Sequence, residues 1–129
     1  QDFIADSYGF RPKRSCHDAL RALSQTVESG HIHHMVEADI KGFFDNVDQE
    51  QLMRFLGHRI ADKRILRLIR RFLKAGIQED GYHKASDTGT PQGGVISPLL
   101  ANIYLHYTLD LWFEKRVKRQ CAGYARLIV

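Results

Sequence analysis

Apolar residues recur at helical spacing along four stretches of the chain, and three of these begin with a recognisable helix start. Ser15 followed by Asp18 has the pattern of a capping box, and Asp48 followed by Gln51 is a second capped start. Ser97 stands before a proline, which suits the first turn of a helix. The spacing predicts helices over residues 16–29, 48–57 and 62–75, and a long one from residue 97 past residue 111.

Shorter stretches have the composition of strands. Residues 34–40 alternate weakly and carry several apolar side chains, which predicts a largely buried strand ending at Asp39–Ile40. Asp80–Gly81 is a hairpin signal between short strands near 77–79 and 82–85. The last residues, "GYARLIV", resemble the opening of another strand. This order of elements predicts an α/β (α+β) fold that is rich in helix and has a small, incomplete antiparallel sheet.

Basic residues are concentrated in a few places. The 129 residues carry a net charge of only +4, but Asp62 is the one acid among many bases from Arg59 to Lys74. In the helix predicted there, the apolar residues Ile65, Leu68, Ile69 and Phe72 should face inward, with Arg67 and Arg71 outside that stripe. Such a stripe follows a phosphate backbone in some proteins and is a solvated helix face in others.

Composition excludes several classes of protein. No stretch approaches eighteen uninterrupted apolar residues and no signal peptide opens the chain, so we expect no membrane segment. Cys16 and Cys121 are far apart in sequence and predict free thiols in a cytoplasmic protein. The histidines of residues 31–34 lack zinc-site spacing, so a zinc site is not predicted.

The stretch "EADIKGFFDNVD" holds the first candidate chemistry. A carboxylate at a strand end, Asp39, can be a rigid Mg²⁺ ligand for phosphoryl transfer, although a strand-end Asp is more often an ordinary turn residue. Phe43 and Phe44 are either core residues or the floor of a nucleotide sugar pocket, reached by the backbone freed at Gly42. For Asp45, which follows the turn, we favour a role in capping or bracing it.

Two further stretches could meet phosphates. In "TPQGGVISPLLAN", Gln92 offers an amide, and Gly93 lets the backbone pass close to a ligand beside a helix start. The basic loop, residues 7–15 with sequence "SYGFRPKRS", offers Arg11 and Arg14 to phosphates, with aromatic residues nearby for packing or stacking. A tight loop or a solvated basic loop would explain either stretch equally well.

Taken in order, "SYGFRPKRSCHDAL", "EADIKGFFDNVD" and "GTPQGGVISPLLANIYL" closely resemble consecutive motifs of group II intron reverse transcriptases. The resemblance implies that Asp39 binds both catalytic Mg²⁺ ions and that the Ile40 carbonyl completes one of them. It implies that Phe43 or Phe44 senses the sugar of an incoming dNTP, without deciding which. It places Gln92 against that dNTP.

The resemblance also implies what the protein does. The chain is expected to be a partial reverse transcriptase domain over residues 1–129, cut from the fingers and palm. The family's next motif, Tyr-Ala-Asp-Asp, is expected shortly after a strand such as "YARLIV", beyond Val129. Tyr124–Ala125–Arg126 is not that motif, since Arg126 stands where its first aspartate would be. We therefore expect the 129 residues alone to be inactive and to self-associate through an unpaired sheet edge. The parent enzyme would extend a DNA primer on an RNA template and would assist intron splicing. One alternative is an RNA-binding module without polymerase activity. The other is a retron or CRISPR-associated reverse transcriptase.

Overall fold

A computed structural model of the chain describes residues 3–74, 77–79, 82–84 and 95–129, the two short central ranges by their backbone alone. The chain divides into two units. The first unit contains Gln1–Asp39 and Leu105–Val129, and the second contains Ile40–Tyr104. Both are built mainly from helices.

The first unit contains helix α1, Cys16–Glu28, which starts where the capping-box pattern predicts it. The Asp18 amide donates to Ser15 Oγ at 3.3 Å, and the Ser15 amide donates to Asp18 Oδ2 at 3.0 Å. These two bonds satisfy amides that the first helical turn would leave unpaired. Only Ala22 and Thr26 of this helix are buried, so its larger apolar residues lie at the surface.

The second unit contains helices α2, Phe43–Asn46, α3, Gln49–Gly57, and α4, Lys63–Lys74. The predicted cap of α3 is confirmed, since Asp48 Oδ1 accepts from the Gln51 amide at 3.0 Å. Helix α3 packs on α4, and an ion pair of 3.4 Å joins Glu50 to Arg70. Aliphatic residues form the core of this unit: Val47, Leu52, Met53, Leu56, Ile69, Leu73 and Leu100.

The residues of α4 that are buried differ from those predicted to face inward. Ile69 and Leu73 are buried, whereas Ile65, Leu68 and Phe72 are each about half exposed. A helix with this many apolar positions offers two overlapping stripes, and periodicity alone does not choose between them. Packing against α3 selects the stripe that includes Leu73.

The predicted hairpin is confirmed in its strands. Strand β1, Ile77–Glu79, pairs antiparallel with β2, Tyr82–Lys84, so that Gln78 lies opposite His83. Helix α5, Ser97–Leu105, is followed by two π-helical turns, His106–Asp110 and Phe113–Val117, and by α6, Lys118–Gln120. The predicted long helix is therefore present, but its turns are locally wider than α-helical ones.

The predicted α/β fold class with its antiparallel palm sheet is wrong. Residues 31–41 form no strand, and Val36 is 88% exposed rather than buried. Residues 121–129 form no strand either. Among the described residues, the hairpin is the only strand pair, so this part of the chain is otherwise without strands, is rich in helix and contains no palm sheet. A strand is stable only beside another strand, and residues 34–40 have no such neighbour in the described part of the chain.

None of the described helices has the length and apolar character needed to cross a membrane.

Candidate functional site

Gly42 makes the sharp turn at the centre of the candidate site. Its φ of 61° is left-handed, a conformation that glycine adopts without steric cost. Its carbonyl accepts from the amides of Asp45 and Asn46, each at 3.2 Å, and from Asn46 Nδ2 at 2.8 Å. A methyl group on Gly42 would lie 3.1 Å from Asn46 Nδ2. Conformation and crowding therefore both favour glycine here.

Asparagine braces this turn, and aspartate does not. The sequence suggested Asp45 for this role, but the side-chain bond to the Gly42 carbonyl comes from Asn46. Asp45 is exposed in the first turn of α2. An Asn four residues after a glycine is a weak signal, because Asn side chains bond nearby backbone in many kinds of turn.

Asp39 and Ile40 come just before the turn, and both are exposed. They are the last residue of the first unit and the first residue of the second. Within the described ranges, no group of three or more His, Cys, Asp or Glu side chains could hold a metal ion. Asp39 and the Ile40 carbonyl fit the oxygen chemistry of Mg²⁺, but they supply too few ligands to enclose it.

The two adjacent phenylalanines have different surroundings. Phe43 packs against the aliphatic core, and its ring lies edge-on to Tyr104 with centroids 6.1 Å apart. Phe44 is half-buried and contacts the Phe43 ring edge-on at 5.5 Å. Tyr104, which the sequence did not single out, also meets Phe55 at 5.8 Å. Phe43 thus packs on the core and on Tyr104, whereas the aromatic contact of Phe44 among the described residues is with Phe43.

Arg11 of the basic loop points into the first unit. Its guanidinium donates to the carbonyls of Ile4 and Ser7 at 2.9 and 2.7 Å and lies 5.1 Å from the Phe3 ring centroid. Arg14 is exposed, but it donates to the Ala5 carbonyl at 3.0 Å. Both arginines therefore stabilise the loop that carries them.

Two of the other predicted binding residues are exposed. Arg67 and Arg71 lie at the surface of α4, which agrees both with a phosphate-binding face and with a solvated helix face. Gln92 and Gly93 lie outside the described residues.

Hydrogen bonds around Arg126, which were not predicted from the sequence, join three segments of the first unit. The Arg126 guanidinium donates to both carboxylate oxygens of Asp6, with Nε at 3.0 Å, and also to Thr26 Oγ1. The bond to Asp6 raises the pKa of Arg126, so this group stays charged. Backbone bonds run beside it, from the Tyr8 amide to the Val129 carbonyl at 2.7 Å and from the Val129 amide to the Asp6 carbonyl at 3.0 Å.

His106 and Asp110 form a buried pair in the first π-helical turn, with Nδ1 and Oδ2 3.4 Å apart. Asp110 Oδ1 has no hydrogen-bond partner among the described residues. Burial raises the pKa of Asp110, while His106 and Arg11 act in the opposite direction. The spacing of four residues between histidine and aspartate was the only signal of this pair in the sequence.

Comparison with known proteins identifies the family. The model of the family "Reverse transcriptase (RNA-dependent DNA polymerase)" matches residues 1–125. The chain is 50% identical over 100 residues to the group II intron-encoded protein LtrA of Lactococcus lactis, covering 78% of this chain and 16% of LtrA. It is 43% identical over 112 residues to an uncharacterized 91 kDa protein in the cob intron of Schizosaccharomyces pombe, covering 87% of this chain and 14% of that protein. It is 43% identical over 118 residues to protein YkfC of Escherichia coli, covering 89% of this chain and 31% of YkfC.

The chain thus spans less than a third of the length of these relatives. Reverse transcriptases as a family use divalent metal ions, which agrees with a carboxylate at Asp39. The match covers nearly the whole chain and includes all three of the motifs that carried the resemblance. The chain belongs to the reverse transcriptase family, as a segment of a group II intron-type member, which confirms the identification made from its motifs.

Proposed function

We propose that the protein containing this chain copies RNA into DNA by transferring dNTPs to a primer 3′-hydroxyl, with Mg²⁺ as its metal. The observation that carries the proposal is the Gly42 turn. A left-handed glycine braced by Asn46 separates the exposed carboxylate of Asp39 from the core-anchored ring of Phe43. Asp39, the proposed metal ligand, and Phe44, the ring proposed to face the sugar, stand on either side of this turn in the sequence.

Asp39 and the Ile40 carbonyl would hold Mg²⁺ together with carboxylates from elsewhere in the protein. A metal held there would supply Lewis-acid activation of the primer hydroxyl and stabilisation of the charge that develops on the α-phosphate. The exposure of Asp39 keeps its oxygens accessible to ions and to substrate phosphates. The ordered turn after it limits how far the Ile40 carbonyl can move, because three hydrogen bonds converge on Gly42.

Phe44 is the better candidate for the residue that faces the sugar. Phe43 contacts both Phe44 and Tyr104 and packs on the aliphatic core, so its ring already has partners within the second unit. Among the described residues, Phe44 contacts Phe43 edge-on and does not pack on that core. A ring in this place would exclude a ribose 2′-hydroxyl by contact.

Nucleic acid is the expected macromolecular partner. Arg67 and Arg71 present charge on the exposed side of α4 and would meet phosphates of the RNA template or of the intron RNA. Gln92 and Gly93, which precede α5 in the sequence, would contact the dNTP. A role in the splicing of a host intron follows the intron-encoded relatives, of which LtrA is named as a group II intron-encoded protein.

Primer extension by the full-length protein tests the proposal. Replacing Asp39 with alanine should lower the rate by several powers of ten, because metals that stabilise the transition state lose a ligand. Asp45→Asn is the matched control, since Asp45 is also exposed and near the turn but is not assigned to the metal. Near-normal extension by Asp39→Ala would contradict the proposal.

A second function, RNA binding without polymerisation, is favoured by one observation. Among the described residues, Asp39 has no partner carboxylates for a metal site, whereas the basic face of α4 is complete within one helix. The same experiment separates the two functions. A full-length protein that binds RNA and extends no primer would be a binding module.

A further inference from the structure

Four aromatic rings from three helices of the second unit form a continuous series of edge-on contacts. Phe55 of α3 meets Tyr104 of α5 with ring centroids 5.8 Å apart and ring planes at 61°. Tyr104 meets Phe43 of α2 at 6.1 Å and 67°, and Phe43 meets Phe44 at 5.5 Å and 77°. In this geometry the positive edge of one ring is attracted to the negative face of the next, so each contact favours a particular angle between the rings.

The inner part of this series is supported by the core. Tyr104 and Phe43 both pack against the aliphatic residues of the second unit. The helices that carry Tyr104 and Phe55 also place Leu100 and Leu52 in that core, where both leucines are almost fully enclosed. Tyr104 therefore lies among elements that apolar burial holds in place.

The outer end of the series depends on its neighbours. Helix α2 is a single turn of four residues, and a helix this short is not stable by itself in water. The hydrogen bonds to the Gly42 carbonyl fix its backbone, but they involve neither phenylalanine ring. Among the described residues, Phe44 has its aromatic contact with Phe43, and Phe43 is joined beyond α2 to Tyr104. The orientation of the Phe44 ring accordingly depends on Tyr104.

We propose that Tyr104 is a positioning residue for sugar selection, which through Phe43 sets the angle of the Phe44 ring against the 2′ position of the incoming nucleotide. The inference rests on the proposed function, in which Phe44 faces the sugar. Exclusion of one hydroxyl group by contact is sensitive to a displacement of about 1 Å, so a residue outside the contact can alter it. Tyr104 is separated from Phe44 by one ring and acts by holding that ring in place.

Single-nucleotide incorporation by the full-length protein tests this role. The readout is the selectivity ratio, which is kcat/KM for a dNTP divided by kcat/KM for the matching rNTP. Tyr104→Leu removes the edge-on contact but keeps an apolar side chain against the core. We expect the ratio to fall about twofold to tenfold, the factor to which one edge-on pair corresponds, through faster use of the rNTP. Tyr104→Phe keeps the ring and should keep the wild-type ratio.

Ile103→Ala is the matched control. Ile103 is the preceding residue of α5, is also half-buried and packs on the same core, but it is not part of the series of rings. Its truncation should lower the melting temperature and leave the selectivity ratio unchanged. If Tyr104→Leu is too unstable to assay, Phe55→Leu removes the ring on the other side of Tyr104 and should lower the ratio in the same way.

A double variant tests whether Tyr104 acts through Phe44. In the Phe44→Ala background the ring that selects the sugar is already absent, so adding Tyr104→Leu should not lower the selectivity ratio further. Two substitutions that act through one group give less than the sum of their separate effects, whereas independent substitutions add.

Several results would overturn the role of Tyr104. They are an unchanged ratio in Tyr104→Leu, or in Phe55→Leu where that variant replaces it, an equal fall in Ile103→Ala, and an additive fall in the double variant. A fall in Tyr104→Phe as large as in Tyr104→Leu would also overturn it, because the effect would then belong to the hydroxyl group. A wild-type ratio in Phe44→Ala would instead contradict the proposed place of Phe44 at the sugar, so the two failures are distinguishable.

Discussion

The two units of the chain are stabilised in different ways. The buried residues of the second unit are mainly aliphatic, with Leu52, Leu73 and Leu100 almost fully enclosed. In the first unit the buried residues are largely polar or charged, and they include Arg11, Thr26, His106 and Asp110. Burial of apolar area stabilises the second unit without titrating groups and without charges that salt could screen. Hydrogen bonds and ion pairs hold the first, so its stability should respond to both.

Truncation of a core leucine should give the largest effect. Leu52→Ala removes a side chain with no exposed surface from the second unit, and we expect a loss of about 3–5 kcal/mol in the free energy of unfolding. The same substitution at Leu20 of the first unit, which is exposed, should cost under about 0.5 kcal/mol. Urea unfolding followed by circular dichroism measures both. Equal losses would show that the second unit has no dominant apolar core.

A smaller effect is expected at the turn that begins the second unit. Gly42→Ala forces a Cβ into the left-handed region and against Asn46, and should cost about 1–2 kcal/mol. Gly57→Ala is the control, because nothing lies within 4 Å of a methyl group there. Alanine at position 57 should be neutral or slightly stabilising. If both variants unfold alike, Gly42 is not under conformational constraint.

The smallest effect concerns pH and the buried Asp110 of the first unit. Burial raises the pKa of Asp110 above its ordinary 3.8, so the folded state binds the proton more tightly than the unfolded state does. Its contribution to stability is therefore fully present below that ordinary value and is lost as pH rises through the folded pKa. Each unit of raised pKa corresponds to about 1.4 kcal/mol.

Unfolding measured across this acidic range, in wild type and in Asp110→Asn, isolates that contribution. Asparagine at position 110 has no titratable carboxyl group, so the stability of this variant should decline less as the pH rises. Leu52→Ala should keep the wild-type pH dependence, because its loss comes from a cavity. An identical pH profile in wild type and Asp110→Asn would contradict a raised pKa for Asp110.

Local signals in the sequence were accurate where local interactions decide the structure. The caps at Ser15 and Asp48 and the pairing of residues 77–79 with residues 82–84 depend on groups a few residues apart, and they were predicted. The strand over residues 34–40 was predicted from composition, but a strand needs a neighbour that composition does not supply. Arg126 and Asp6 are 120 positions apart, and no periodicity indicates such a pair.

The candidate site shows the same division. Gly42 was predicted as a sharp turn because glycine tolerates its conformation, and the structure confirms it. The sequence could not separate Phe43 from Phe44, because the distinction depends on Tyr104 in a distant helix. Arg11 was predicted to contact phosphates. Its guanidinium donates to two backbone carbonyls, and the sequence did not indicate these bonds because they depend on the path of the preceding chain. RNA binding by Arg11 and Arg14 therefore stays a prediction.

We propose that, after the turn at Gly42, Phe43 belongs to the core and Phe44 faces the sugar of the incoming nucleotide. The most direct test is the ratio of rNTP to dNTP incorporation by full-length Phe44→Ala, compared with full-length Phe43→Ala. We predict that Phe44→Ala incorporates ribonucleotides more readily while keeping near-normal stability, since in the described part of the chain its aromatic contact is with Phe43 and it does not pack on the aliphatic core. Phe43→Ala should lose stability and change selectivity less than Phe44→Ala does. Raised rNTP incorporation by Phe43→Ala alone, or by neither variant, would contradict the claim.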